Sequence, residues 1–245
     1  MSQDPIGLYI HIPFCPYRCP YCDFAIVVDA HISSPLKRPY LNLLKRELNG
    51  WADKLCSPPL SSIFFGGGTP SLLTPLELEE LMHAIRSGFS LTEGLEITLE
   101  ANPETVSLQQ LQGFRSLGIN RLSIGAQTFH PGGLQVLGRG HGAEQITEAV
   151  SLARRAGFTN ISLDLIYGWQ DQTLQDWEND LRQALDLKPE HLSLYALTVE
   201  PKTILARQVA RGRFRTPPDD LSAECFITAR AGWNAPHAKN HTIRI

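Results

Sequence analysis

The chain of 245 residues switches between two hydrophobic periods from one end to the other, and that alternation limits its fold more than any single residue does. Period-two segments predict strands over residues 8–13, 62–66, 95–101, 121–127, 160–166 and 191–197. Helix-period segments lie between them. Thr74-Pro75-Leu76-Glu77 is a capping box with proline at the first helical position, and Leu78, Leu81, Met82 and Ile85 follow on one face. Ser107 to Gln110 repeats the device ahead of Leu111, Phe114 and Leu117, with Gly118 as a stop. Ile146, Ala149, Val150 and Ala153 line a third helix, and Thr173 opens a fourth, in which Trp177 is a core residue. Further helices are expected over 36–48, 203–211 and 220–230. Strands that alternate with helices imply an α/β fold with a parallel sheet and right-handed crossovers.

Strand parity separates an open doubly wound sheet from a barrel. Glu96, Thr98 and Glu100 share one face of their strand; so do Arg121, Ser123, Gly125 and Gln127, then Ser162 and Asp164, then His191, Ser193 and Tyr195. A sheet covered by helices on both faces reads as nearly continuous apolar strands. A filled small barrel shows bulky branched residues inside. This chain has neither pattern, which predicts a partial barrel with a polar lumen that holds a ligand. The plainer alternative is a set of polar side chains bridged by water inside an ordinary fold.

Composition narrows the function classes. Hydrophobic residues make 42% and charged residues 19%, which excludes a disordered chain. A net charge of −3 gives no footprint for nucleic acid, so no nucleic-acid partner is expected. No apolar run reaches the ~18 residues of a membrane helix, and no export signal is visible, so a cytoplasmic location is expected. His83, His130 and His141 read as exposed or helix-flanking. Arg207, Arg211, Arg213 and Arg215 could meet a propionate or offer a peripheral membrane contact; a solvated face is the plainer reading.

Three of the five cysteines crowd together as Cys15-Pro-Tyr-Arg-Cys19-Pro-Tyr-Cys22, directly after the first strand. That places them at the C-terminal rim of a β/α sheet, where such folds carry function. Three thiolates alone do not close a tetrahedral zinc site. On a 4Fe–4S cluster they leave one iron open for another ligand, whereas electron-transfer clusters usually hold four cysteines. Zinc with His11 as a fourth ligand is the competing reading. Cys56 and Cys225 read as ordinary thiols.

The C-x3-C-x2-C spacing resembles that of the radical S-adenosylmethionine (radical SAM) proteins. LYIHIPFCPYRCPYCDF, FFGGGTPSLL, LEANPE, RLSIGAQTF and DLIYG together resemble the family of oxygen-independent coproporphyrinogen III oxidase and the haem chaperones related to it. The resemblance runs from about residue 7 to about residue 223. It implies a partial (β/α)6 radical SAM barrel over 1–216, with 217–245 as an incomplete C-terminal extension. It also implies a 4Fe–4S cluster on Cys15, Cys19 and Cys22, and SAM held by Tyr9, Gly67, Gly68, Thr69, Glu100, Gln127, Arg139 and Asp164. In the family, SAM chelates the open iron and is cleaved after one electron enters, so an electron donor is an implied partner.

Within the family, Cys22 is followed by Asp23-Phe24, where the oxidase carries a further cysteine two residues on. This is the chaperone-like form. It implies a protein that binds haem and passes it to haem-acceptor proteins, with coproporphyrinogen dehydrogenase activity not expected. The alternatives are an oxidase-type enzyme of porphyrin biosynthesis and a relic that holds only the cluster. Two departures stand out: Trp169-Gln170 replaces a leucine-proline pair beside Asp164, and the tail lacks the HN-x-x-YW-like motif of the family.

Overall fold

The computed structural model describes residues 4–28, 35–232 and 242–244. In chain order the elements are β1 (Ile6–Ile12), a short pair β2 (Phe14–Cys15) and β3 (Val27–Val28), α1 (Lys37–Lys54), β4 (Pro59–Gly67), α2 (Pro75–Gly88), β5 (Ser90–Ala101), α3 (Leu108–Ser116), β6 (Arg121–Gln127), α4 (Pro131–Val136), α5 (Ala143–Arg155), β7 (Ile161–Tyr167), α6 (Leu174–Asp186), β8 (His191–Ala196), α7 (Ile204–Ala210), α8 (Asp219–Gly232) and β9 (Thr242–Arg244).

Seven parallel strands form one sheet in the order β1-β4-β5-β6-β7-β8-β9. Each large strand lies beside the next in sequence. Among the described residues no ladder joins β1 to β9, so the sheet is open. All six expected strands are present. The seventh, β9, was not expected: its three residues pair with β8 from His191↔Thr242 to Ser193↔Arg244, too short a run for periodicity to reveal. The rest of the expected tail, 233–241 and residue 245, lies outside the described residues.

The helix-facing sides of the strands supply Ile10, Ile63, Phe65, Leu99, Leu122, Leu163 and Leu192, all almost fully buried. They pack in one core with Leu78, Met82, Phe114, Ile146 and Trp177 from the helices. Fixing α8 against α6, Trp177 donates Nε1–H to Cys225 O at 2.8 Å. Start signals read from sequence hold in detail. Thr74 Oγ1 accepts from Glu77 N at 3.2 Å and Glu77 Oε2 accepts from Thr74 N at 2.8 Å, the reciprocal pair of a capping box. Ser107 makes only its half of that device, because the Gln110 side chain is drawn to Ser71 O and Leu73 O instead.

The opposite face of the sheet carries the polar residues that parity marked. Low on this face they satisfy one another directly. Ser123 Oγ donates to Asp164 at 2.8 Å, and Ser162 Oγ lies 2.8 Å from His191 Nδ1. Near the C-terminal strand ends the same face opens into a cavity.

Candidate functional site

A cavity of about 360 Å³ lies at the C-terminal ends of β4 to β8, under the loop that leaves β1. Cys15, Cys19 and Cys22 line it, together with Gly67, Gly68, Thr69, Glu100, Gln127, Arg139 and Asp164. Ten of the eleven residues singled out from sequence therefore share one space. Tyr9 is not among the lining residues: it is 57% exposed, stacks on Phe64 and donates to His11 Nδ1 at 3.1 Å.

The cysteine loop is seated by backbone. Gly68 N donates to Ile12 O and Thr69 N to Phe14 O, both at 2.8 Å. A Cβ on Gly68 would lie 2.7 Å from the Pro13 carbonyl, and one on Gly67 2.4 Å from the His11 ring. The glycine run thus makes room first for the protein's own loop. Gly67 also sits at φ +114, which a side chain would strain. Thr69 Oγ1 contacts Cys15 Sγ at 3.3 Å.

His11 does not compete as a metal ligand. Its Nε2–H donates to Ala25 O at 2.8 Å and its Nδ1 accepts from Tyr9, so both ring nitrogens are engaged. Cys56 and Cys225 are absent from the cavity lining. Among the described residues, no three His, Cys, Asp or Glu side chains are already gathered as a metal site.

Arg139 reaches the centre of the site from the segment after α4. Nη2 donates to Asn102 Oδ1 at 2.6 Å and to Gly125 O at 3.2 Å, and Nη1 to Cys19 Sγ at 3.6 Å. Its Nε–H is buried with no partner. An orphaned donor on a buried guanidinium is a vacancy for an anionic oxygen. Across the cavity, Glu100 accepts a hydrogen bond from Gly67 N at 3.0 Å and, among the described residues, forms no ion pair. Burial, with the Asp164 charge adding, outweighs that bond and pushes the carboxyl up to about 7. Burial also raises Asp164 against the hydrogen bonds of Ser123, Ser193 and Ser162. Glu100, with no cation among the charges that shift it, and a guanidinium with a spare donor suit a zwitterionic ligand with a carboxylate and a positively charged group, while Asp164 already feels the Arg121 charge. The donor set fits SAM.

Gln127 ends β6 at φ +67, an unusual conformation for a residue with a side chain. Asp180, almost fully buried on α6, holds the following turn: Oδ2 accepts from Thr128 Oγ1 at 2.6 Å and Oδ1 from Phe129 N at 2.7 Å. Asp180 was not singled out from sequence, although it falls between Trp177 and Ala184 on the buried stripe of its helix.

His141 flanks α5, directly before its N-cap Gly142, as one of the two expected readings had it, but it is buried and not exposed, with Nε2–H donating to Ala126 O at 3.1 Å and Nδ1 lying 3.0 Å from Glu104 Oε2. His83 and His130 are exposed or helix-capping as expected. The four arginines from 207 to 215 are all exposed, and Arg215 pairs with Asp171 at 3.2 Å. In the departed loop, Trp169 is buried against Leu137 and Ile166, while Gln170 Oε1 accepts from Arg215 N.

A parallel sheet with three cysteines on the loop after its first strand, over a cavity lined by a glycine run, defines a class. The Radical SAM superfamily model matches residues 9–184, and the chain belongs to that superfamily. Membership implies a 4Fe–4S cluster and SAM. The chain is similar to the haem chaperone HemW of Haemophilus influenzae, at 42% identity over 91% of this chain and 57% of that protein. The HemW of Bacillus subtilis is 41% identical over 89% of this chain and 57% of that protein. Among solved structures, the coproporphyrinogen III oxidase HemN of Escherichia coli superposes with a TM-score of 0.83 at 29% identity, over 95% of this chain and 53% of that one. The Elp3 of Methanocaldococcus infernus shares the fold at a TM-score of 0.67 and 16% identity. The chain spans a little over half the length of these chaperones and of the oxidase. No described helix is long and apolar enough to cross a membrane.

Proposed function

We propose that this chain is the cluster- and SAM-binding part of a haem chaperone. Cys15, Cys19 and Cys22 hold the 4Fe–4S cluster. Arg139 Nε–H takes the SAM carboxylate, Glu100 meets a positively charged group, and Gln127 and Asp164 hold the nucleoside end. When bound, the cluster and SAM supply reductive cleavage of the sulfonium C–S bond. The chain's own residues orient the ligand and exclude water from it. Haem is the cargo, haem-acceptor proteins receive it, and an electron donor serves the cluster.

The observation that carries the SAM site is the convergence of the orphaned Arg139 Nε–H, the cation-free Glu100 and the three thiols on one cavity. The chaperone reading rests on the similarity to HemW proteins and on Asp23-Phe24 after Cys22. Titrating haem into the reconstituted protein is expected to give a saturable shift of the Soret band; an unchanged spectrum would refute haem binding. The likeness to HemN supports a second reading, a radical enzyme acting on a porphyrinogen. Formation of 5′-deoxyadenosine coupled to loss of coproporphyrinogen would favour it.

A further inference from the structure

Tyr17 stands midway between Cys15 and Cys19, and three groups from outside the loop fix it. Its hydroxyl donates to Glu104 Oε1 at 2.5 Å and accepts from Gly140 N at 2.9 Å. A Cβ on Gly140 would lie 2.8 Å from the Tyr17 ring, so ring and backbone are in close contact there. The second oxygen of Glu104 is taken by His141. His141 is in turn anchored to the backbone of β6 through Ala126 O. Because a carbonyl only accepts, Nε2–H donates to Ala126 O, and Nδ1 faces Glu104 Oε2. The result is a chain of hydrogen bonds, buried at β6 and part-buried further out, from β6 through His141 and Glu104 to the cysteine loop. It lies beside Arg139, whose own bonds tie Cys19 to Asn102 and Gly125.

Both oxygens of Glu104 and the Tyr17 hydroxyl are engaged within the protein, although Tyr17 also lines the cavity. Glu104 and the Tyr17 hydroxyl do not reach the strand-end acids. Their geometry serves the loop. None of the three cysteines forms a disulfide, and Cys15 and Cys22 are only half-buried, although Cys19 is buried. Backbone bonds from Gly68 and Thr69 seat the start of the loop, and Tyr17 adds an anchor between Cys15 and Cys19.

We infer that Glu104 and His141 are positioning residues that latch Tyr17, and with it the cysteine loop, onto the end of β6. The latch holds Cys15 and Cys19 at the cavity mouth in the cluster-free protein. Its purpose as a cluster-loop device rests on the ligand role of the three cysteines. The latch itself does not depend on which group they bind.

The test compares alkylation of each cysteine by iodoacetamide in the cluster-free full chain, read by mass spectrometry. The variants are Tyr17→Phe, which keeps the ring, and Glu104→Leu, which keeps the bulk and removes both acceptor oxygens. Cys56 is exposed and Cys225 is buried in the core, so they serve as internal references for reagent and for global opening. The latch requires Cys15, Cys19 and Cys22 to react roughly tenfold faster in both variants, with Cys56 and Cys225 unchanged. Unchanged rates at the three loop cysteines would overturn it. So would a parallel rise at Cys225, which would mark general loosening. Selective acceleration in a protein that takes up no iron would leave the latch standing and remove the proposed function instead.

Discussion

Gly67 N donates to Glu100 Oε2 at 3.0 Å, joining the C-terminal ends of two neighbouring strands and giving a half-buried carboxyl its one hydrogen-bond partner among the described residues. No cation answers the charge, so the acid holds its proton up to about pH 7 in the folded chain against 4.5 unperturbed. The sign follows from proton binding. Between these values the folded state binds more protons than the unfolded one, so stability falls as pH rises. Glu100→Gln keeps an acceptor for Gly67 and removes the charge. It is expected to melt higher than the parent at about pH 8, by the equivalent of about 1–3 kcal/mol, and to match it at about pH 4. Thermal melts of the ligand-free protein across that range check both ends. A cationic ligand reverses the preference, so SAM affinity is expected to rise towards about pH 8 and to lose that rise in Glu100→Gln.

Arg139 is the reverse case, a buried cation with more donors than partners. Arg139→Lys keeps the charge but cannot fork to Asn102 and Gly125 while offering a third donor. The expected costs are about 1–3 kcal/mol in a chemical melt and at least about tenfold in SAM affinity by equilibrium dialysis. Full affinity in this variant would exclude the assigned carboxylate contact.

Asp180 supports the turn after Gln127 through two hydrogen bonds and is pushed up by burial to about 6. Asp180→Ala leaves Thr128 and the Phe129 N–H without their acceptor. It is expected to lower stability by about 2–4 kcal/mol, and Asp180→Asn by less, because an amide oxygen still serves Phe129. Urea unfolding of both variants checks the order.

Gly68 has backbone, not a flexible side chain, where its Cβ would lie. In Gly68→Ala the strand end and the cysteine loop must part. The expected loss is about 1–3 kcal/mol, with reduced iron uptake. Gly94 faces open space at φ +72, so Gly94→Ala acts through backbone strain alone. It should lose stability and keep its iron uptake, which iron and sulfide assays on both variants would show.

What sequence could reveal here depended on whether the signal was local. The strands, the Thr74 and Thr173 caps and the cysteine spacing are carried by residues within a few positions of one another, and they appear as read. The polar face followed from parity, since residues two apart on a strand must share a side. His141 and Asp180 escaped because their partners, Glu104 and Thr128, lie 37 and 52 residues away. Helix spacing from Trp177 and Ala184 does put Asp180 on the buried stripe, but only the fold shows what its carboxylate holds. The family resemblance assigns Gly67 and Gly68 to SAM; only the fold shows that Pro13 and His11 lie where their Cβ atoms would be. The strand Thr242–Arg244 is too short to carry a period.

The central claim is that Cys15, Cys19 and Cys22 hold a cluster with an iron open to SAM in the cavity beside Arg139. The direct measurement is anaerobic iron–sulfur reconstitution followed by optical and EPR spectra with and without SAM. The account predicts a 4Fe–4S signal that shifts when SAM is added and is lost in Cys22→Ser. A colourless protein that retains zinc, or a cluster whose spectrum SAM leaves unchanged, would contradict it.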